Sequence, residues 1–181
     1  MYLSSVLLLT YLISNKVMNV KNLRVGNGFD VHSFAENRDL ILGGVKIPHT
    51  FGLLGHSDAD VLIHAIIDSL LGAANLGDIG NLFPDNDSQF KDISSEILLE
   101  KVFARLTSDS WHIINIDATV ICQSPKLAPF ISKMKENISS IFQSSVELIS
   151  IKATTTERLG FTGREEGIAA QSSCLIYKNE Q

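Results

Sequence analysis

The strongest constraint on this chain is a helix written almost wholly in apolar residues. Ser57-Asp58-Ala59-Asp60 reads as its start: Ser57 can cap, Asp60 stands three residues on, and Val61, Leu62, Ala65, Ile66 and Leu70 follow at helical spacing. Its one polar row is His64, with Asp60 a turn before and Asp68 a turn after. Strand signals surround it. From residue 23 a strand punctuated by Gly26 and Gly28 runs to His32, and 39–47 reads as a strand pair or irregular hairpin broken at Gly43-Gly44 and stopped by Pro48. A second helix is expected after Ser94 or Ser95, with Ile97, Leu98, Val102 and Leu106 as its buried stripe. Residues 113–122 and 146–155 are strand-like, 129–142 is helical, and a last strand covers about 168–177. Helices interleaved with strands predict an α+β fold, an α/β sandwich of one mixed β-sheet with helices packed on one face.

Length and composition bound the rest. The 181 residues suit one domain, and with 45% hydrophobic residues disorder is excluded as the main state. A net charge of -5 supplies no basic field for a nucleic-acid backbone. Cys122 and Cys174 are too few for a disulfide framework and sit in apolar runs, as buried thiols of a reducing compartment do. The apolar run 6–13 falls well short of the ~18–20 residues that span a bilayer. With no basic residue before Lys16 and no arginine before Arg24, it matches neither a secretory signal nor a transit peptide well. Residues 1–20 are therefore expected to be a disordered or non-native extension, with Met18 as the working start, ahead of a single domain over 21–181. A bacterial cytoplasmic location is expected, or a plastid-type organelle if 1–20 is a targeting segment.

Several constellations could carry chemistry. Asp30 and His32, two apart in a strand, leave the same face of the sheet. Joined by His64 they would make a three-ligand zinc set with an open fourth position; from spacing alone, a helix-face histidine satisfied by Asp60 or Asp68 is the favoured explanation of His64. His56-Ser57 precedes the helix, where backbone N–H groups favour an anion, although a capping role would explain Ser57. Asp78, Asp85 and Asp87 lie in a Gly-, Asp- and Asn-rich stretch that could bind hydroxyls or a cation, or simply turn. Thr154-Thr155-Thr156-Glu157 ends a strand with three hydroxyls and a carboxylate, a set suited to a phosphate chain with Mg²⁺. Neither Gly26-Asn27-Gly28 nor Gly160-Phe161-Thr162-Gly163 matches a nucleoside-triphosphate or dinucleotide fingerprint.

Read in order, these segments resemble the 2-C-methyl-D-erythritol 2,4-cyclodiphosphate synthase family of the non-mevalonate isoprenoid pathway. The resemblance rests on 26–32, 55–60, His64-Ala65, 70–74, 77–80, Phe83-Pro84-Asp85, 123–126, 152–157 and 159–164, and spans 23–178. It implies a lyase that converts 4-diphosphocytidyl-2-C-methyl-D-erythritol 2-phosphate into the cyclic diphosphate and CMP, the substrate's own 2-phosphate being the nucleophile. It implies one Zn²⁺ per subunit on Asp30, His32 and His64, with a phosphate oxygen in the open place, and Mg²⁺ or Mn²⁺ on Glu157. His56 and Thr155 match transition-state stabilisers. Ser57, Asp78, Ile79, Gly80, Phe83, Asp85 and Asp87 match the holders of the methylerythritol phosphate. Cys122, Pro125, Lys126, Leu127 and Ala128, with Thr154, match the cytidine pocket. A homotrimer is implied, its sheets facing a central cavity and its active sites between subunits, with Phe161 and Arg164 near a threefold axis where family members can hold an isoprenoid diphosphate. Asn27, where a histidine is common, and Ala128, in place of a bulkier residue, depart from the pattern. A non-catalytic metal- and nucleotide-binding trimer is the rival reading; it gives no reason for His56, Thr155 and Glu157. Neither nucleic acid nor membrane is an expected partner.

Overall fold

The structure, a computed structural model, describes residues 20–84 and 93–179. The expectations for residues 1–19, and for Asp85 and Asp87, fall outside them. Among the described residues seven strands form: β1 (Leu23–Ala35), β2 (Leu40–Leu42), β3 (Val45–Ile47), β4 (Gly52–Leu53), β5 (Trp111–Ile121), β6 (Ile149–Thr154) and β7 (Gly167–Lys178). The helices are α1 (Val61–Ala74), α2 (Ile79–Leu82), α3 (Ser95–Ser108), α4 (Ile131–Ile141) and α5 (Gly160–Gly163). Five strands make one sheet in the order β4-β1-β7-β5-β6. Only the β5–β6 pair is parallel, so the sheet is mixed. The expected hairpin is present as β2–β3, closed by Gly43 and Gly44 at φ 59° and 71°, the two positive φ values that a tight two-residue turn requires.

The apolar helix decides the packing. Leu62, Ile63, Ile66, Ile67, Leu70 and Leu71 of α1 are all inaccessible to solvent, each worth about 1.5–3 kcal/mol on burial. A helix apolar on every side must be covered on every side. Strands β1 and β7 cover one side of α1, while α3 and β2 lie against others. The two glycines of β1 let it settle: a Cβ on Gly26 would stand 1.8 Å from the Ser69 carbonyl oxygen, and one on Gly28 2.0 Å from that of Ala65. The strand's glycines are therefore the floor on which the helix backbone rests.

Two local expectations change. The N-cap of α1 is Asp60, which accepts from the Ile63 N–H at 3.1 Å, and not Ser57, whose hydroxyl accepts from the Ala59 N–H while Ala59 takes φ 57°. His56 and Ser57 thus lie before a bend, away from the helix start. In α3 the stripe is Leu98, Leu99, Val102 and Leu106, and Ile97 is 43% exposed. The face of the sheet away from the helices exposes Val25, Phe29 and Val31 of β1, at 75%, 56% and 38%. Among the described residues no helix is long and apolar enough to cross a membrane.

Candidate active site

Period two in β1 places Asp30 and His32 on the same face as Gly26 and Gly28, under α1. Because Ser69 lies over Gly26 and Ala65 over Gly28, one further step down the strand brings Asp30 and His32 beneath the first turn of the helix. His64 projects there. Asp30 Oδ2 lies 3.0 Å from His32 Nε2 and 3.0 Å from His64 Nδ1, and the two ring nitrogens are 3.1 Å apart. Ligand atoms ~2.0–2.2 Å from a tetrahedral ion lie about 3.3–3.6 Å from one another, so the cluster needs to open by only a few tenths of an ångström to hold one.

The other ring nitrogens show that these are lone pairs held ready. His32 Nδ1 donates to the Leu54 carbonyl at 2.7 Å, which leaves Nε2 of the neutral ring bare. Asp60 and Asp68, the partners that would have explained His64 without a metal, are turned elsewhere. Asp60 accepts from the Gly44 and Ile63 N–H groups, and Asp68 from the Ile79 N–H. His64 Nε2 instead meets Ser95 Oγ at 2.9 Å and Ser57 Oγ at 3.2 Å. One ligand atom each from Asp30, His32 and His64 thus converges on one point, a set that could hold a metal ion. When the rings carry an extra proton in place of a cation, they act on Asp30 as donors instead. Burial would raise the Asp30 carboxyl, but hydrogen bonds and charge from His32 and His64 outweigh it and hold Asp30 well below the usual carboxylate range. Burial pulls the His32 imidazole down, yet its bond to Asp30 and that residue's charge leave it raised above 6.5.

The cluster forms the floor of a cleft of about 240 Å³ whose walls include His56, Ser57, Ile79, Gly80 and Phe83. Sequence reading also missed Ile93 and Leu98, which line the same cleft. Arg38, also missed, clamps the wall from behind, donating to the Gly55 carbonyl at 3.1 Å and the Ser57 carbonyl at 2.5 Å on either side of His56. Asp78 caps α2, a one-turn helix inside what reads as a polar loop, by accepting from the Asn81 N–H at 2.8 Å.

The remaining candidates stand apart. Cys122, Pro125, Lys126, Leu127 and Ala128 line a second cleft with Thr154 and Thr155, sharing no residue with the first. Burial pushes the Cys122 thiol up to about 11, which disfavours the thiolate. Thr155 donates to Glu157 Oε1 at 2.7 Å. Glu157 and Arg158 take φ 51° and 67°, a strained pair, and the Arg158 N–H is held by Gln123 Oε1 at 3.2 Å. Phe161 lies on α5, 37% exposed, and Arg164 just after it makes two hydrogen bonds to Glu166. Within one chain the structure joins Asp30, His32, His56, Ser57, His64, Ile79, Gly80 and Phe83, and leaves the 122–128 segment and Glu157 outside that cleft.

Comparison with known proteins gives a consistent result. The YgbB family matches residues 23–177. The chain is 58% identical over 154 residues to the 2-C-methyl-D-erythritol 2,4-cyclodiphosphate synthase of Syntrophomonas wolfei, covering 85% of this chain and 98% of that one. To the synthase of the same name from Clostridioides difficile it is 57% identical over 159 residues, covering 88% and 99%. Among solved structures, the bifunctional IspDF of Campylobacter jejuni superposes with a TM-score of 0.84 at 48% identity, over 87% of this chain and 43% of that longer one. The IspF of Plasmodium falciparum in complex with CDP superposes at 0.77 with 34% identity, over 90% and 100%.

Proposed function

From the premise that this chain belongs to the 2-C-methyl-D-erythritol 2,4-cyclodiphosphate synthase family, we infer that its two clefts are the halves of an active site that closes a cyclic diphosphate and releases CMP in isoprenoid synthesis. The observation that carries the reading is the Asp30–His32–His64 cluster on the floor of a cleft walled by His56 and Ser57. In the reaction an oxygen of the substrate's 2-phosphate attacks the β-phosphorus of 4-diphosphocytidyl-2-C-methyl-D-erythritol 2-phosphate. The new P–O–P linkage closes the ring as the bond to CMP breaks, and CMP leaves with the electron pair.

Such a reaction asks for positioning and charge neutralisation more than for covalent help. Asp30, His32 and His64 would hold Zn²⁺ and Glu157 would hold Mg²⁺ or Mn²⁺; when bound, the cations neutralise phosphate charge and polarise the phosphorus under attack. The side chains do the rest. Among the described residues lining the two clefts Lys126 is the only lysine or arginine, so these residues bring little positive charge to a multiply anionic substrate. Among the described residues, His56, exposed on the cleft wall and steadied by the Arg38 clamp, is placed to donate to a phosphate oxygen, while the Thr155 hydroxyl spends its one proton on Glu157 and would turn to phosphate only when a cation takes up that carboxylate. Ser57, Ile79, Gly80 and Phe83 would seat the methylerythritol phosphate with Asp78, and the 122–128 segment the cytidine.

A homotrimer joins the halves. Two observations favour it: the metal cluster and the cytidine segment line clefts with no common residue, and the helix-free sheet face exposes Val25, Phe29 and Val31, a patch suited to burial against further copies of the chain. Phe161 and Arg164 would then lie near the shared axis, able to meet an isoprenoid diphosphate. A single domain over 21–181, bacterial and cytoplasmic, fits this reading. The test is incubation of purified protein with the cytidylyl substrate: CMP and cyclic diphosphate should appear in equal amounts. CMP accompanied by the linear 2,4-bisphosphate would show that water, not the 2-phosphate, is the nucleophile.

A further inference from the structure

We propose that Asp58 and Ser95 are positioning residues for His64, forming a hydrogen-bond chain that dictates which imidazole nitrogen carries the proton and so keeps Nδ1 free for a metal. The proposal rests on the metal reading given above. Ser95 is fully buried, so its hydroxyl must be satisfied within the protein. Its Oγ lies 2.5 Å from Asp58 Oδ1 and 2.9 Å from His64 Nε2, and its backbone N–H donates to the second Asp58 oxygen at 3.1 Å. Both oxygens of the carboxylate are thus engaged by Ser95, and Oδ1 also accepts from the Asp60 N–H at 3.3 Å.

Counting protons fixes the direction of every bond. An ionised carboxylate only accepts, so the single hydroxyl proton of Ser95 goes to Asp58. Ser95 Oγ can then offer His64 only a lone pair, and Nε2 must carry a hydrogen to meet it. The neutral ring is left with a bare Nδ1, the atom that faces Asp30 Oδ2 at 3.0 Å and His32 Nε2 at 3.1 Å. Without the chain the balance would reverse. Nδ1–H would donate to the Asp30 carboxylate, a charge-assisted bond, while the serine hydroxyls donated to Nε2, and a metal would have to displace a proton to enter. Ser57 can fit the same scheme: it stands 3.2 Å from Nε2 and accepts from the Ala59 N–H with one lone pair, which leaves its second lone pair to share the Nε2 hydrogen that Ser95 requires. Neither Asp58 nor Ser95 stands out in the sequence, since a serine at a helix start and an acid in a turn have ordinary explanations.

The test uses the full-length, metal-stripped protein. Zinc affinity, measured by competition with a chromophoric chelator, should fall about 10–100-fold in Ser95→Ala, the usual cost of removing such an outer partner. In the wild-type protein at about pH 8, above the ordinary histidine range, ring ¹⁵N spectra should show His64 as the Nε2–H tautomer, and Ser95→Ala should shift it toward Nδ1–H. A Ser95→Ala protein with lowered Tm but wild-type zinc affinity and tautomer would overturn the proposal, leaving Ser95 a packing residue. A wild-type His64 in the Nδ1–H form would overturn it too, whether or not any variant folds. If the wild-type protein bound no zinc at all, the metal reading itself would fall; if it bound zinc as tightly as Ser95→Ala, only the positioning claim would.

Discussion

Three acceptors brought to within 3.1 Å of one another at Asp30, His32 and His64 would repel without a shared proton or cation between them. Without a metal a proton is favoured on His32, whose imidazole the Asp30 contact holds above its ordinary value despite burial. Metal binding needs the neutral ring, so a raised value extends proton competition up into the neutral range. Zinc affinity should therefore strengthen as pH rises from about 6 to 8, with protons released on binding, as calorimetry in buffers of different ionisation enthalpy can measure. A pH-independent affinity over that range would contradict the assignment of His32 as a ligand. Glu157 tests the second cation. Its carboxylate is aimed by the Thr155 hydroxyl and by a backbone held at φ 51°, so Glu157→Gln keeps the shape and removes the charge. CMP release should fall by roughly 100-fold while zinc content stays at the wild-type level. Parallel loss of zinc would place Glu157 with the other metal.

At the scale of elements, the close seating of α1 on β1 is what delivers His64 to Asp30 and His32. A Gly28→Ala methyl would stand 2.0 Å from the Ala65 carbonyl oxygen and 2.7 Å from the Ser69 nitrogen, both backbone atoms that can yield only if the helix moves. Stability should drop by about 3 kcal/mol or more, and zinc affinity should fall with it because His64 rides on the same turn. Unchanged Tm and zinc affinity would mean that α1 is not seated by that glycine. Much of this was legible beforehand, because periodicity reports packing: α1, α3, β1, β5 and β7 follow from their apolar spacing, and the hairpin from Gly43-Gly44. The misread places are those where one pattern serves two geometries. Ser57-Asp58-Ala59-Asp60 suits a helix cap, yet Ala59 turns to φ 57° and the cap passes to Asp60. The stretch at 77–82 reads as loop, yet Asp78 caps a single helical turn. Spacing alone could not bring His64 to Asp30, since that depends on how closely two backbones approach. The two strand glycines are the sequence trace of that approach.

For the whole molecule, the central issue is that the two clefts proposed as halves of one active site share no residue within a chain. If copies join them, His56→Ala and Lys126→Ala proteins, each inactive alone, should regain part of the activity when dissociated and reassembled together, because some mixed sites keep both residues. Mixing that restores nothing would argue for sites built within one chain. On the proposed reading, sites of either kind depend on the metal cluster, which makes zinc the most direct handle on the reaction. The decisive measurement follows bound zinc and CMP release in one sample of purified protein through chelation and zinc readdition. Both should disappear together on chelation and return together as zinc approaches one ion per chain, and His64→Ala should neither take up zinc nor regain release. Full CMP release from protein stripped of zinc, or from His64→Ala, would contradict the assignment of Asp30, His32 and His64 as the metal site on which the reaction turns.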